Sequence, residues 1–504
     1  MENEGMNWGA QLRRDVASVS LGGEYQVVFE LTEPNSRFHT HFTSRYNAVY
    51  IMPAHVWREV ENPLTFRFYP PVSAGQYVTY DQDPQGSWEL FQRREDYENT
   101  VVGQVVGAGN TPPKFILLQY PGPYEQYVLA MAENDLDLFM EVTPEAFQAL
   151  LARSDTARSW YSDYPWVWQD ELSLRGLAPN HGNELYQHKD VRWALALALD
   201  MFEVQTVYMS GLTRVGALPQ PPVPVHLEGY YKPLQPWFEQ LAIEVEDGEF
   251  FNVYDADLPN RIFQWAQNQG HDLSGQDPIQ MFGYGWFKYA PDVAERLLEK
   301  HGFSRNAAGD WLTPTGERWT IRIPIAPDEP SQYQLTLAAE DMWSEFGIDV
   351  RVATMDREPY YMRQNTGDYD VMSLWGGGAG FASSADRDKW PFVNSIHSDY
   401  YTPPGEVTTI NQARFADPEL DRMIDAMRDL APEGEENYEL TLEFFKYYVE
   451  QMLAIPMVGF TKFVTTDTGV YWDNFPSSEN PYNQPAFWFM GGKFMLPYLE
   501  QVQQ

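Results

Sequence analysis

The run His188-Lys189-Asp190-Val191-Arg192-Trp193-Ala194-Leu195-Ala196-Leu197-Ala198-Leu199-Asp200 reads as an Asp-capped helix built from Ala and Leu, two strong helix formers. Its surroundings make it informative. Upstream, Leu172 to Leu177 is expected to be a strand, closed by the polar loop Ala178-Pro179-Asn180-His181-Gly182. Downstream, Met209-Ser210-Gly211 leads into Pro219-Gln220-Pro221-Pro222-Val223-Pro224. A strand, a polar loop, a helix and a Pro-rich exit make one block of α/β structure.

The C-terminal half repeats this alternation. Pro291 opens a helix through Val293, Ala294, Leu297 and Leu298, and Gly302 closes it, since glycine suits the left-handed position after a helix. Gly309-Asp310-Trp311 and Thr315-Gly316 read as turns. Trp319, Ile321, Ile323 and Ile325 alternate as a strand. Leu335, Ala339, Met342 and Phe346 mark a helix ended by Gly347, and Ile348, Val350 and Val352 a further strand. Tyr369 to Trp375 is another, running into Gly376-Gly377-Gly378. Strands alternating with helices predict sheets covered by helices.

The N-terminal half is less regular. Residues 21–34 alternate as a strand, with Tyr25, Val27, Phe29 and Leu31 on one face. Pro53 starts a helix. Residues 71–80 and 88–92 form a strand pair, Phe115 to Leu118 a buried strand, and Tyr124 to Leu136 a helix. His39 and His41 read as surface or packing residues, because no third ligand lies at useful spacing.

A chain of 504 residues exceeds one ordinary core and implies two or three lobes. Its formal net charge of −38 argues against nucleic acid or an anionic membrane as partner. The 72 acids face only 34 Lys and Arg, with nine Lys among them, which fits a saline habitat. Zero Cys excludes disulfides, thiolate chemistry and Cys-bound metal. No apolar run reaches the length of a membrane span. With 17 Trp, 31 Tyr and 29 Phe, aromatics exceed what a core needs, so some are expected to line a ligand surface.

Several motifs, in order, resemble family 5 extracellular solute-binding proteins, the peptide- and oligosaccharide-binding subunits of ABC importers. Pro71 to Tyr77 resembles the family's Pro-Val-Gly-Thr-Gly-Pro-Tyr turn, departing at Ser73, Ala74 and Gln76. Arg94-Glu95-Asp96-Tyr97 and Glu133 to Asp137 are similar to two further family elements. Asn180 with Asp190 to Asp200 matches the Asn…Asp-x-x-Val-Arg-x-Ala…Asp helix. Tyr289 to Phe303, Phe346 to Val350, Phe415 to Asp425 and Tyr471 to Trp488 resemble later elements. Each is weak alone; their joint order is specific.

The resemblance implies an α/β, two-lobed periplasmic-binding-protein-like fold (type II, cluster C) with hinge strands and a closing ligand cleft, N-terminally truncated. Residues 1–65 would be a remnant of the small extra lobe, 66–175 part of lobe I, 176–470 lobe II, and 471–504 the return to lobe I. Family members begin with a secretory signal and an N-terminal block; neither is recognisable before Tyr25. The placement implied is periplasmic or cell-surface-anchored, with permease subunits as partners, a monomeric state and no cofactor.

Ligand contacts are expected from Trp375, Gly376 and Gly377, at a strand end where open α/β sheets bind ligands. Trp390, Phe392 and Asn394 follow in the same long loop. Tyr284 and Trp286 form an aromatic–glycine patch around Gly285, equally readable as packing. Ser173 and Arg175 lie on the presumed hinge strand, where Arg175 could pair with an acidic ligand group or, more commonly, a protein carboxylate. Peptide binders of the family carry an acidic Tyr-x-Asp-Pro-like stretch after the position of Trp375. Here the chain reads Gly376-Gly377-Gly378-Ala379-Gly380, which favours a sugar-like or uncharged ligand.

Two other readings compete. A glycoside hydrolase would use paired acids, but Asp386/Asp388 and Glu340/Asp341 sit in no recognisable catalytic frame, and pairs arise by chance among 72 acids. A scaffold, or a fragment that binds nothing, is the other. No catalytic residue and no metal ligand is assigned.

Overall fold

In the computed structural model, the alternating segments 320–325 and 349–354 become a parallel strand pair, in register from Thr320 opposite Asp349 to Ile325 opposite Thr354. The structure describes residues 9–42, 50–107, 109–120, 124–373, 387–461, 463–467, 469–485 and 488–502. The chain forms two compact units. The larger comprises Met1–Ile51 and Gln169–Phe460, the smaller Met52–Trp168 and Thr461–Gln504. The lobes drawn from the sequence change at 65, 175 and 470, whereas the compact units change at 51, 168 and 460.

In the larger unit the elements that matter are β1 (Leu174–Pro179), α1 (Lys189–Leu197), β2 (Thr320–Ile325), α2 (Pro330–Glu345), β3 (Asp349–Thr354), α3 (Arg357–Thr366), β4 (Val371–Ser373) and β5 (Ile455–Gly459). β1 is central, with β4 and β5 antiparallel on either side. All six of its residues are buried, as expected for a strand covered on both faces. α2 provides the crossover between parallel β2 and β3. Its Leu335, Ala338, Ala339, Met342 and Trp343 are buried, and Gly347 (φ 94°) turns the chain after it.

The stretch that decides the fold becomes α1, and its polar residues hold structure together. The cap is His188, not an aspartate. Asp190 lies in the first turn, where a negative charge still suits the helix dipole. It takes ion pairs from Lys300 and His301, both at 2.9 Å. Burial raises its pKa, but those two partners outweigh burial and hold it below the usual range. Arg192 donates to the carbonyls of Gln451 and Met452, and Trp193 to that of Glu450. These carbonyls end the helix Glu435–Glu450, so the guanidinium serves as its C-terminal cation. Burial draws Arg192 down to about 10. In the Pro-rich exit, residues 219–223 are buried and Pro224 is exposed.

Residues 16–31 form a hairpin, Val16–Gly23 paired with Gln26–Leu31, and Tyr25 falls in its turn rather than on a strand. Farther on, the fully buried Arg37 holds Asp388 through two contacts of 2.9 and 2.7 Å and donates to the carbonyls of Arg428 and Leu430. His41 bonds Asp15 at 3.3 Å.

Among the described residues, the smaller unit holds two three-stranded antiparallel sheets and a short antiparallel pair, Trp472–Asp473 with Glu500–Gln501. One orders Tyr77–Gln82, Trp88–Arg93 and Phe115–Gln119. The other places Phe463–Asp467 between Leu138–Val142 and Ala157–Arg158. Met131, Leu150 and Ala157 make a small core there. The strand expected to be buried at Phe115 to Leu118 is largely exposed.

Candidate functional site

The site grows from the N-terminal end of β1. The chain enters the larger unit at Gln169 and leaves it at Phe460, and these two passages lie together: the Phe460 amide donates to the Ser173 carbonyl at 2.9 Å. Arg175 follows on β1 and is 1% exposed. Its Nη1 donates to Ser173 Oγ at 2.7 Å, and its guanidinium carbon lies 3.6 Å from the Phe460 ring centroid. Its Nη2 is 3.7 Å from Glu329 Oε2. Arg175 thus faces a protein carboxylate.

Glu329 comes from the turn that starts α2, where Pro330 occupies the first helical position. Arg357, opening α3, approaches Glu329 Oε1 at 3.3 Å and bonds Asp328 at 2.8 Å. Burial lowers the Arg357 pKa, but its bonds to Asp328 and Tyr361 and the nearby Glu329 outweigh this and raise it. Two guanidiniums therefore face two carboxylates. A buried ion pair gives up hydration that its own attraction only partly returns, and here stacking on Phe460 adds to the attraction.

Beside this cluster runs a buried polar seam. Gln332 Nε2 donates to the Gly176 carbonyl at 3.2 Å and to Ser373 Oγ at 2.6 Å. The Thr336 hydroxyl meets the same Ser373 oxygen, and the Tyr360 hydroxyl reaches the Ser373 carbonyl. The seam ties α2 and α3 to β1 and β4. Ser373 is the last described residue before 387. Trp375, Gly376 and Gly377 lie outside the described residues.

The other expected contacts are placed elsewhere in the larger unit. Trp390 is fully buried on the short helix Trp390–Val393, its ring 5.9 Å from the Arg37 guanidinium. Asn394 is buried and accepts from Arg14 at 2.9 Å. Phe392 is half-buried. Trp390 and Asn394 thus engage the N-terminal segment. Trp286 is fully buried and donates to the Pro456 carbonyl at 2.7 Å; it packs against β5. Tyr284 is half-buried, and burial, then Glu228, raises its pKa.

Glu329, Gln332, Arg357 and Phe460 were not singled out from the sequence. Asp328-Glu329-Pro330 reads as an ordinary helix start, and Phe460 as an ordinary strand end. A polar cavity of about 490 Å³ also opens between the N-terminal segment and residues 399–428, lined among others by Arg14, Asp15, Glu33, Asp399, Asp425 and Arg428. Its charges are largely spent on one another: Arg14 pairs with Asp15 and Asp399, and Arg428 with Glu33 and Asp425.

The model of the family described as bacterial extracellular solute-binding proteins, family 5 Middle, matches residues 1–395. The chain belongs to this family. A binding protein of Brucella abortus (strain 2308) is 22% identical over 424 residues, covering 82% of this chain and 61% of its own length. An uncharacterised protein of Sinorhizobium fredii is 22% identical over 380 residues, covering 72% of this chain and 52% of its own. The chain thus spans 61% and 52% of the length of these two curated relatives.

Among solved structures, family 5 architecture recurs. The mannohexaose-bound periplasmic oligopeptide-binding protein of Thermotoga maritima superposes with a TM-score of 0.73 at 16% identity, covering 98% of this chain and 80% of that one. AppA of Bacillus subtilis, in complex with a nonapeptide, gives 0.65 at 14%, covering 98% and 79%. NikA of Brucella suis, in complex with Fe(III)-EDTA, gives 0.62 at 15%, covering 98% and 80%. The two-lobed α/β fold expected from the motifs is the fold of these family 5 structures. The family and these neighbours are binding proteins rather than enzymes. Among the described residues, no helix is long and apolar enough to cross a membrane.

Proposed function

We propose that this chain is the extracytoplasmic solute-binding part of an ABC importer, capturing an oligosaccharide or oligopeptide and handing it to membrane permease subunits. Family membership across residues 1–395 carries the reading. The solutes named for similar structures, mannohexaose and a nonapeptide, fall into the same two classes. Arg175 and Ser173 supply the fixed polar end of the site. Trp375, with Gly376 and Gly377, is proposed as the aromatic contact: an indole stacks on the apolar face of a sugar or side chain, and glycines let backbone groups approach. The run after Trp375 lacks the acid that would meet a peptide amino group, which favours the sugar.

A micromolar affinity needs about 8 kcal/mol of net binding. Stacking and a few hydrogen bonds reach that only where water is excluded, so the ligand must favour a closed state by a few kcal/mol. Calorimetric titration of mannohexaose and of a nonapeptide into the purified chain tests the reading. Saturable binding of either is expected; no heat with both, and no thermal shift, would remove it.

A further inference from the structure

We infer that the start of α2, beside Arg175, is a subsite for hydroxyl donors of an uncharged, polyhydroxylated ligand; the inference rests on the solute-binding reading and names its ligand class. Three side-chain oxygens there are enclosed and receive no hydrogen bond among the described residues: Glu329 Oε2, Ser331 Oγ and Gln332 Oε1. Glu329 is 4% exposed and Gln332 fully buried. Buried polar atoms in native proteins nearly always have partners, and each that lacks one costs free energy. Three such oxygens within four consecutive residues form a surplus of acceptors.

The geometry around them favours a particular donor. Arg175 Nη2 stops at 3.7 Å from Glu329 Oε2, beyond hydrogen-bond length, so that oxygen is attracted but not bonded. Among the described residues, the two guanidiniums of Arg175 and Arg357 face the two carboxylates of Asp328 and Glu329. An incoming ammonium or carboxylate would leave one charge uncompensated in a desolvated place. A neutral hydroxyl satisfies an acceptor and adds no charge. Gln332 is held by its amide nitrogen to Gly176 and Ser373, so its free oxygen is fixed in position. Access is short. Arg357 is 25% exposed and joins Glu329 to Asp328, which is 55% exposed.

The test titrates mannohexaose and an uncharged-side-chain nonapeptide into the full chain and into Ser331→Ala and Glu329→Gln, with a thermal melt of each. Among the described residues Ser331 Oγ has no hydrogen-bond partner, so Ser331→Ala is expected to melt with the parent and to bind mannohexaose about three- to tenfold more weakly. Glu329→Gln, which loses a charged acceptor, is expected to lose about tenfold or more. If it fails to fold, Ser331→Ala carries the test alone. Full mannohexaose affinity in folded Ser331→Ala, or binding of the peptide alone, would overturn the inference and leave the solute-binding reading standing. Absence of both ligands from the parent chain would remove that reading, and the inference with it.

Discussion

The two units use apolar side chains in opposite ways. In the larger, Trp193, Trp286, Trp311, Trp319, Trp343 and Trp390 are all essentially inaccessible. In the smaller, Tyr80 is 61% and Leu117 48% exposed, with Val78 and Phe115 also in solvent. Among the described residues, 16 of the 30 exposed large apolar side chains belong to the smaller unit, which holds under a third of the chain, and seven of the other 14 lie before residue 52 in the larger unit. Layering explains the difference. α2 covers β2 and β3, and β1 is buried on both faces. The sheet of Tyr77–Gln82, Trp88–Arg93 and Phe115–Gln119 leaves Tyr80, Phe115 and Leu117 uncovered. Alternation in a sequence marks a strand, but not whether its apolar face has a neighbour.

This contrast can be broken or sharpened by substitution. Trp343→Ala removes a buried indole that packs α2 and donates to the Leu195 carbonyl. It is expected to cost about 3–5 kcal/mol, read as a lower urea midpoint of the larger unit's transition. A loss of no more than about 0.5 kcal/mol, the size expected of an exposed surface substitution, would erase the contrast.

Glu329→Ala comes next. It strips a carboxylate from buried Arg175 and is expected to cost about 3 kcal/mol, followed by thermal melts. A neutral result would mean the arginine is held by its stacking on Phe460 and its bond to Ser173.

Acid should act on the larger unit through His181. Burial first, then Arg192, draws its pKa down to about 3, although its Nε2 bonds the Leu453 carbonyl at 2.7 Å. The folded value lies below the unfolded one, near 6.5. The unfolded chain therefore binds the extra proton, and stability is complete above pH 6.5 and falls as pH drops towards 3. Because His181 keeps some surface, about 1–2 kcal/mol is expected to be lost between pH 7 and 5. Denaturant melts across that range should show a weaker pH slope in His181→Asn.

The smallest effect belongs to the uncovered sheet. Tyr80→Ser with Leu117→Ser should change stability by no more than about 0.5 kcal/mol while lowering the fluorescence of an apolar dye. A large destabilisation would show that this face is packed in solution.

Much of the fold was legible. The alternation at Trp319 to Ile325 became β2, and the glycines at 302 and 347 take the left-handed conformation after their helices. Ser173 and Arg175 were named from the sequence and lie together. Glu329 was missed because an acid before a helical proline looks like any helix start. The sequence leaves the Tyr284–Trp286 patch open between ligand contact and packing; the Trp286 indole bonds the Pro456 carbonyl, a contact that spacing does not encode.

The sequence by itself determined the order of strands and helices, the family and the absence of thiol chemistry, because periodicity, turn residues and composition act locally along the chain. Only the tertiary structure decided that Arg175 faces Glu329, that Arg192 closes a helix beginning at Glu435, and that one sheet is sealed while another is open. Those outcomes depend on which distant surfaces meet, and burial and charge balance are properties of the meeting rather than of either segment.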